Sequence, residues 1–187
     1  MELRRSKLIA LALRHDPKAL GLELDSGGWA NVDELIRGLG AQGLPTTRRA
    51  LVELVATNEK RRFAISSDGT KIRANQGHSI AVDLGLVRSE PPPELFHGTI
   101  AQNLGRIRTR GLLPGTRTHV HLSIDTETAR SVARRRRGVP VIVTVLAGRM
   151  HQAGYSLFLS ENGVWLTEHV PVEYLELPVP EAVGEPR

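Results

Sequence analysis

The stretch Pro91-Pro92-Pro93-Glu94-Leu95-Phe96-His97-Gly98-Thr99 divides the sequence. Three consecutive prolines offer no backbone N–H and fix φ, so they sit in neither a helix interior nor a central strand. They predict a short, stiff linker between two lobes. Directly after them, Leu95-Phe96-His97 has the composition of a strand that ends in His97-Gly98-Thr99. A glycine there lets a ligand approach the backbone, and His97 and Thr99 can hydrogen-bond a ribose or an amide. The expected organisation is a lobe over residues 1–90, a second over 91–177, and a Pro-, Glu- and Gly-rich tail, 178–187, that is disordered.

Upstream of the prolines, Leu3, Leu8, Ile9 and Leu13 predict a helix ending near His15, closed by Asp16-Pro17. Asn31 with Glu34 three residues on reads as a capping box for a short helix with Val32, Leu35, Ile36 and Leu39 inward. Thr47 caps a third helix that places Leu51, Leu54 and Val55 on one face. Two short strands, Arg62 to Ile65 and Lys71 to Ala74, flank a Ser-Ser-Asp-Gly-Thr turn, which predicts a hairpin. Three helices and a hairpin are the element order of a winged helix-turn-helix. Downstream, strands are expected at Leu95 to His97, His119 to Ile124, Val139 to Leu146, Ser156 to Leu159, Val164 to Thr167 and Tyr174 to Leu177. A helix starting at Asp125, with Ala129 and Val132 inward, separates the second and third. The fold class is therefore α+β, its second lobe a mostly antiparallel or mixed sheet.

The 187 residues suffice for one medium domain or two small lobes with a real core. A hydrophobic fraction of 40% and a charged fraction of 24% are those of a soluble globular protein. No apolar run is long enough to span a bilayer, and Met1 to Arg5 lack a signal-peptide layout, so the cytoplasm is the expected location. The absence of cysteine excludes disulfides, thiolate chemistry and cysteine-ligated zinc. A net charge of +5 points to a polyanionic partner. Residues 1–88 hold 14 Lys and Arg against 10 Asp and Glu, whereas 89–187 hold 11 against 10, so the excess lies in the first lobe. With aromatics at only 4%, recognition of phosphate by arginine is a better expectation than a base-stacking surface.

The sequence contains no phosphate loop of the Walker type, no Gly-x-Gly-x-x-Gly fingerprint, no His-Glu-x-x-His and no Gly-x-Ser-x-Gly elbow. What remains is a set of His and Arg residues near element ends. Arg14 and His15 close the first helix, where compensation of the helix dipole is an alternative reading. Lys60-Arg61-Arg62 open the hairpin, and a solvated strand entrance is the alternative there. Arg73, Asn75, Gln76, Gly77, His78 and Ser79 follow the second strand with more hydrogen-bonding groups than a turn requires. His119 and His121 share a strand face, yet no carboxylate or further histidine completes a metal site, and no metal is expected. Arg134 to Arg137 read most simply as the solvated end of a helix.

In order along the chain, Ser6-Lys7 with Leu13-Arg14-His15, Gly28-Trp29, Arg62-Phe63, Ile72-Arg73-Ala74-Asn75-Gln76-Gly77-His78-Ser79, His97-Gly98-Thr99, Arg117 with His121-Leu122-Ser123, and Asn162-Gly163-Val164-Trp165-Leu166-Thr167 resemble the blocks of the RNA 2′-phosphotransferases. The resemblance runs from about Ser6 to Tyr174. It implies an N-terminal winged-helix lobe that engages RNA and a C-terminal ADP-ribosyltransferase-like lobe that holds NAD⁺ as co-substrate. It further implies that Arg14, His15, Arg62 and Arg117 are catalytic, and that His97, Gly98, Thr99, His121, Ser123 and Val164 bind the cofactor. His97, His121 and Val164 stand at the three signature positions of that fold; the third is a glutamate in many protein-modifying members. Lys60, Arg73 and His78 are additional candidates for RNA or phosphate.

The implied reaction removes an internal 2′-phosphate from RNA, of the tRNA splice-junction kind, through a 2′-phospho-ADP-ribosyl RNA. It yields 2′-OH RNA, nicotinamide and ADP-ribose 1″,2″-cyclic phosphate without a metal. The expected partners are NAD⁺ and a 2′-phosphorylated RNA such as tRNA, and the expected state is a monomer with no membrane association. Two alternatives stay open: an ADP-ribosyltransferase that caps terminal phosphates of RNA or DNA, and a non-catalytic nucleic-acid-binding winged helix.

Overall fold

The computed structural model describes residues 2–178; the tail expected to be disordered lies, except for Pro178, outside the described residues. The chain forms two compact units. The first comprises the chain up to Val87 together with Gly115–Thr118 and Ser160–Gly163, and the second the remainder. The division thus falls at Val87/Arg88, three residues before the proline run. The Pro93 carbonyl accepts a hydrogen bond from Gly148 N at 3.0 Å, so the prolines are part of the second unit.

In the first unit, α1 (Glu2–Arg14) buries Ile9, Ala12 and Leu13. Pro17 cannot extend it, and His15 N and Asp16 N both turn back to the Leu11 carbonyl. Helix α2 (Val32–Ala41) starts where Asn31 Oδ1 accepts from Asp33 N and Glu34 N, the N-cap half of the expected capping box. Helix α3 (Arg48–Ala56) starts where Thr47 Oγ1 accepts from Ala50 N. Strand β2 (Phe63–Ile65) pairs antiparallel with β3 (Lys71–Ala74), setting Phe63 opposite Ala74. Gly69 at φ +73 and the Asp68 carboxylate, which accepts from Ser66 and Thr70, make the turn between them. A two-residue strand, β1 (Ala30–Asn31), adds to the other edge of β3, giving the order β1-β3-β2. It is too short to show periodicity, which is why no sequence signal marks it. Ile9, Leu13, Leu35, Leu39, Leu51, Phe63 and Ile72 make one core beneath the sheet and helices.

Among the described residues of the second unit every strand pair is antiparallel. Strand β4 (Leu95–Ile100) pairs along its full length with β6 (Pro140–Val145), and β6 pairs with β9 (Leu175–Glu176). A second sheet sets β8 (Trp165–Thr167) between β5 (Val120–Leu122) and β7 (Phe158–Leu159). The Phe96–Ser123 bridge, N–H to carbonyl in both directions at 2.9 and 2.8 Å, links the two sheets. Helix α5 (Thr126–Ala133) begins at the Asp125 cap and lies on β4. A Cβ at Gly98 would stand 1.8 Å from the Ala129 carbonyl oxygen. Gly98 is therefore required by the packing of this helix on the strand. Helices α4 (Leu104–Arg110) and α6 (Ala147–Gln152) escape sequence analysis because each is under two and a half turns and buries at most two residues.

Candidate active site

Four segments of the first unit bring their cations together: the end of α1, the entrance to β2, the run after β3, and Gly115–Thr118. Arg14 is the last residue of α1, and its carbonyl accepts from Ser79 N at 3.0 Å. Gly77, at φ +91, lays its backbone along the Arg14 side chain, with Cδ, Nε and Cζ all 3.7 Å from where a Cβ would stand. The Thr118 N–H to His78 carbonyl bond, 3.0 Å, ties the Arg117 segment to the same run.

The electrostatics of this cluster are unusual. Burial, then the charges of Arg117 and Arg62, push the Arg14 guanidinium down to about 10. Its Nε and Nη2 are buried and have no hydrogen-bond partner among the described residues. His15 is held below the ordinary histidine value by burial and by Arg14 and Arg117, so its ring is neutral at pH 7. Its Nδ1 lies 2.9 Å from Ser79 Oγ, which orients the ring. His78 is pushed down to about 4 by burial, Arg14, His15 and Arg73. It has no exposed surface, and neither ring nitrogen has a hydrogen-bond partner among the described residues. Arg73 lies 4.6 Å over the Trp29 ring and pairs with Glu161 at 2.7 Å, while its Nε is buried without a partner.

A guanidinium buried beside other cations with unsatisfied N–H groups is costly to fold. An anion with several oxygens, such as a phosphate monoester, would satisfy those donors and offset the repulsion. Arg62 also lines an open groove of about 480 Å³ with Ser6, Asn58 and Lys60.

The second unit holds the other predicted residues. His97 is on β4, His121 on β5, and Val164 just before β8. The β5–β8 register sets Leu122 opposite Trp165, and the Phe96–Ser123 bridge joins β5 to β4 beside His97, so all three signature positions lie around Ser123. His97 Nδ1 donates to the His121 carbonyl at 3.0 Å, and His121 Nδ1 to the His119 carbonyl at 2.9 Å. A carbonyl only accepts, so each ring carries a proton on Nδ1. Thr99 is buried and accepts from Asn103 Nδ2 at 3.0 Å. Among the described residues no group of three or more His, Asp or Glu could hold a metal ion.

Ser79, Glu161, Asn75 and Asn162 take part in this geometry without having been singled out as site residues by sequence. The first and third lie in a polar run that is legible, but their contacts are with residues far away in sequence, which no local pattern encodes.

The first unit thus gathers Arg14, Arg62 and Arg117 around a buried guanidinium. The family model described as RNA 2′-phosphotransferase, Tpt1 / KptA family, matches residues 1–169, and the chain belongs to that family. It is 53% identical over 175 residues to a "Probable RNA 2′-phosphotransferase" of Streptomyces coelicolor, covering 94% of each chain. A protein of the same description from Burkholderia lata is 51% identical over 92% of this chain and 89% of its own, and one from Rhodopirellula baltica 48% identical over 92% and 94%.

Proposed function

We propose that this protein removes an internal 2′-phosphate from RNA by transferring it to NAD⁺, with the first unit acting as a winged-helix lobe toward RNA and the second as an ADP-ribosyltransferase-like lobe. The observation that supports this most is the buried Arg14 guanidinium, with two unpartnered nitrogens and only cations acting on it. The polar groups of the second unit fit a ribose and an amide: the imidazoles of His97 and His121, each tied through Nδ1 to a backbone carbonyl, with backbone groups of β4 and Ser123 beside them. NAD⁺, when bound there, supplies an electrophilic ribose carbon with nicotinamide as its leaving group.

Arg14, Arg62 and Arg117 hold the RNA 2′-phosphate so that one oxygen is aligned for attack on that carbon; the C–O bond forms as the bond to nicotinamide breaks. The phosphate is already a competent nucleophile, so Val164 in place of a carboxylate costs nothing there. In the second step a ribose hydroxyl attacks phosphorus and the bond to the RNA 2′-oxygen breaks. His15, neutral and oriented by Ser79, accepts the hydroxyl proton and returns it to the departing 2′-oxygen. The arginines neutralise the phosphoryl oxygens as charge accumulates. The products are 2′-OH RNA, nicotinamide and ADP-ribose 1″,2″-cyclic phosphate; tRNA is the proposed substrate, the cytoplasm the proposed setting and a monomer the proposed state.

The test is incubation of an RNA with one internal 2′-phosphate, with and without NAD⁺ and with excess EDTA, followed by mass analysis. The expected result is dephosphorylated RNA only with NAD⁺, undiminished by EDTA. Turnover without NAD⁺ overturns the mechanism, and a product that keeps ADP-ribose assigns the phosphate-capping reaction instead.

A further inference from the structure

Arg61 has φ +39, the one positive φ outside glycine among the described residues, and it immediately precedes Arg62. A β-carbon makes this left-handed conformation unfavourable, so surrounding contacts must impose it. Those contacts are asparagines. Asn75 Nδ2 donates to the Arg61 carbonyl at 2.7 Å, and Asn162 Nδ2 donates to the Lys60 carbonyl at 3.1 Å. Asn58 Oδ1 accepts from Arg62 N at 3.4 Å, and the Asn58 carbonyl accepts from Arg61 N at 2.7 Å. The Arg62 carbonyl accepts from Asn75 N at 3.0 Å.

One of the two amides is itself held. Asn162 Oδ1 accepts from Ser160 Oγ at 2.9 Å in a turn closed by Gly163 N to the Ser160 carbonyl, and all of Ser160–Gly163 belongs to the first unit. Asn75 is buried, and its Oδ1 has no partner. An apolar residue at that position would avoid burying this orphan acceptor, but it would not hold the Arg61 carbonyl. The geometry is specific to donors aimed at two successive carbonyls.

From this geometry we infer that Asn75 and Asn162 are positioning residues for Arg62: by clamping the Arg61 and Lys60 carbonyls they hold Arg61 left-handed and so aim the Arg62 side chain at the phosphate. This rests on the proposed role of Arg62, whereas the clamp itself can be tested without it. Neither asparagine touches the reacting atoms on this account; both act through the backbone.

Two measurements test it on the full-length protein. The first needs no ligand and reads unfolding midpoints of Asn75→Ala, Arg61→Gly and the double variant. Glycine adopts positive φ freely, so Asn75→Ala is expected to lower the midpoint less in the Arg61→Gly background than alone. Equal shifts in both backgrounds mean that Asn75 does not hold Arg61, and the clamp is overturned. The second compares Asn162→Ala, Arg62→Ala and their double variant, reading kcat and KM for RNA with one 2′-phosphate, and binding of that RNA against its 2′-OH counterpart without NAD⁺. Asn162→Ala is expected to lower kcat roughly 10- to 100-fold, as a small misplacement of a catalytic group does. Added to Arg62→Ala it is expected to cost nothing further. Additive losses overturn the inference. If the wild type does not distinguish the 2′-phosphate, the reading of the site falls while the midpoint measurement still decides the clamp.

Discussion

The two units arrange their buried polar groups by opposite means. The first concentrates Arg14, Arg62, Arg73 and Arg117 with two neutral histidines, and tolerates buried donors that no protein group satisfies. In the second, His97 and His121 spend Nδ1 on backbone carbonyls, and Thr99 accepts from Asn103. A phosphate brings two negative charges and rewards clustered guanidinium groups, whereas a ribose or amide rewards fixed tautomers. Strain is therefore expected to reside in the first unit and packing precision in the second, and substitutions can separate the two.

The largest effect is expected at Arg14. Arg14→Met keeps the aliphatic stem and removes the charge. Removal of the 2′-phosphate is expected to fall roughly 100- to 1,000-fold, about 2.7–4 kcal/mol. The urea midpoint is expected to stay level or rise, because the lost charge was buried among other cations. A less stable but fully active variant would break the contrast between the units. Arg62→Ala sharpens it: the second step gathers more charge on phosphorus than the first, so RNA still bearing ADP-ribose on its 2′-phosphate is expected to accumulate. A time course in which both steps slow equally would remove that assignment.

Next in size is Gly98→Ala in the second unit. The added methyl would meet the Ala129 carbonyl oxygen, a backbone atom that cannot rotate aside. Overpacking costs about 1–3 kcal/mol, and the upper end is expected here. Thermal unfolding of Gly98→Ala should show it; an unchanged melting temperature would mean that α5 yields easily and that this unit is not precisely packed. Gly77→Ala in the first unit meets only the Arg14 side chain at ordinary contact distance, and its cost comes from φ +91 alone.

Most of the fold was legible because its signals are local. Asn31 and Thr47 cap helices by contacts within three residues, and the Ser66-to-Thr70 turn makes its own hydrogen bonds. β3 runs over Lys71–Ala74, as its composition predicts. What was not legible depends on distant partners. Arg117 stands after the prolines in sequence yet belongs to the first unit, and Glu161 and Asn162 reach Arg73 and Lys60 across 88 and 102 residues. Gly98 was visible as a glycine at a strand end, but the reason for it, a helix crossing at Ala129, is tertiary. The residue types of the candidate site were readable; which surface each faces was not, as buried His78 demonstrates.

His78 supplies a pH test of intermediate size. Its folded value is about 4, against about 6.5 for an unperturbed histidine. Between those values the unfolded chain binds a proton that the native state refuses, so stability falls as pH drops from 6.5 toward 4 and then levels for this group. Between pH 7 and pH 5 the expected loss is about 1–2 kcal/mol. Urea unfolding at the two pH values measures it, and His78→Leu should abolish that part of the difference. An equal loss in the variant would show that other groups in the first unit carry the pH dependence.

The smallest effect is expected at His97, where it divides the units most directly. The ring donates from Nδ1 to the His121 carbonyl, so His97→Ala removes that tie and the rest of the imidazole together. A hydrogen bond is worth about 0.5–1.5 kcal/mol net, and the expected change is therefore a rise of roughly 2- to 10-fold in KM for NAD⁺. His97→Asn restores an amide that can donate to the same carbonyl without the rest of the imidazole, so it should recover stability but not NAD⁺ use. Affinity for 2′-phosphorylated RNA, titrated without NAD⁺, should be the same in all three proteins, because the arginine cluster is in the other unit. If RNA affinity fell as far as NAD⁺ use did, the ligands would not be divided between the units, and the contrast between a strained anion site and a locked polar site would no longer describe the protein.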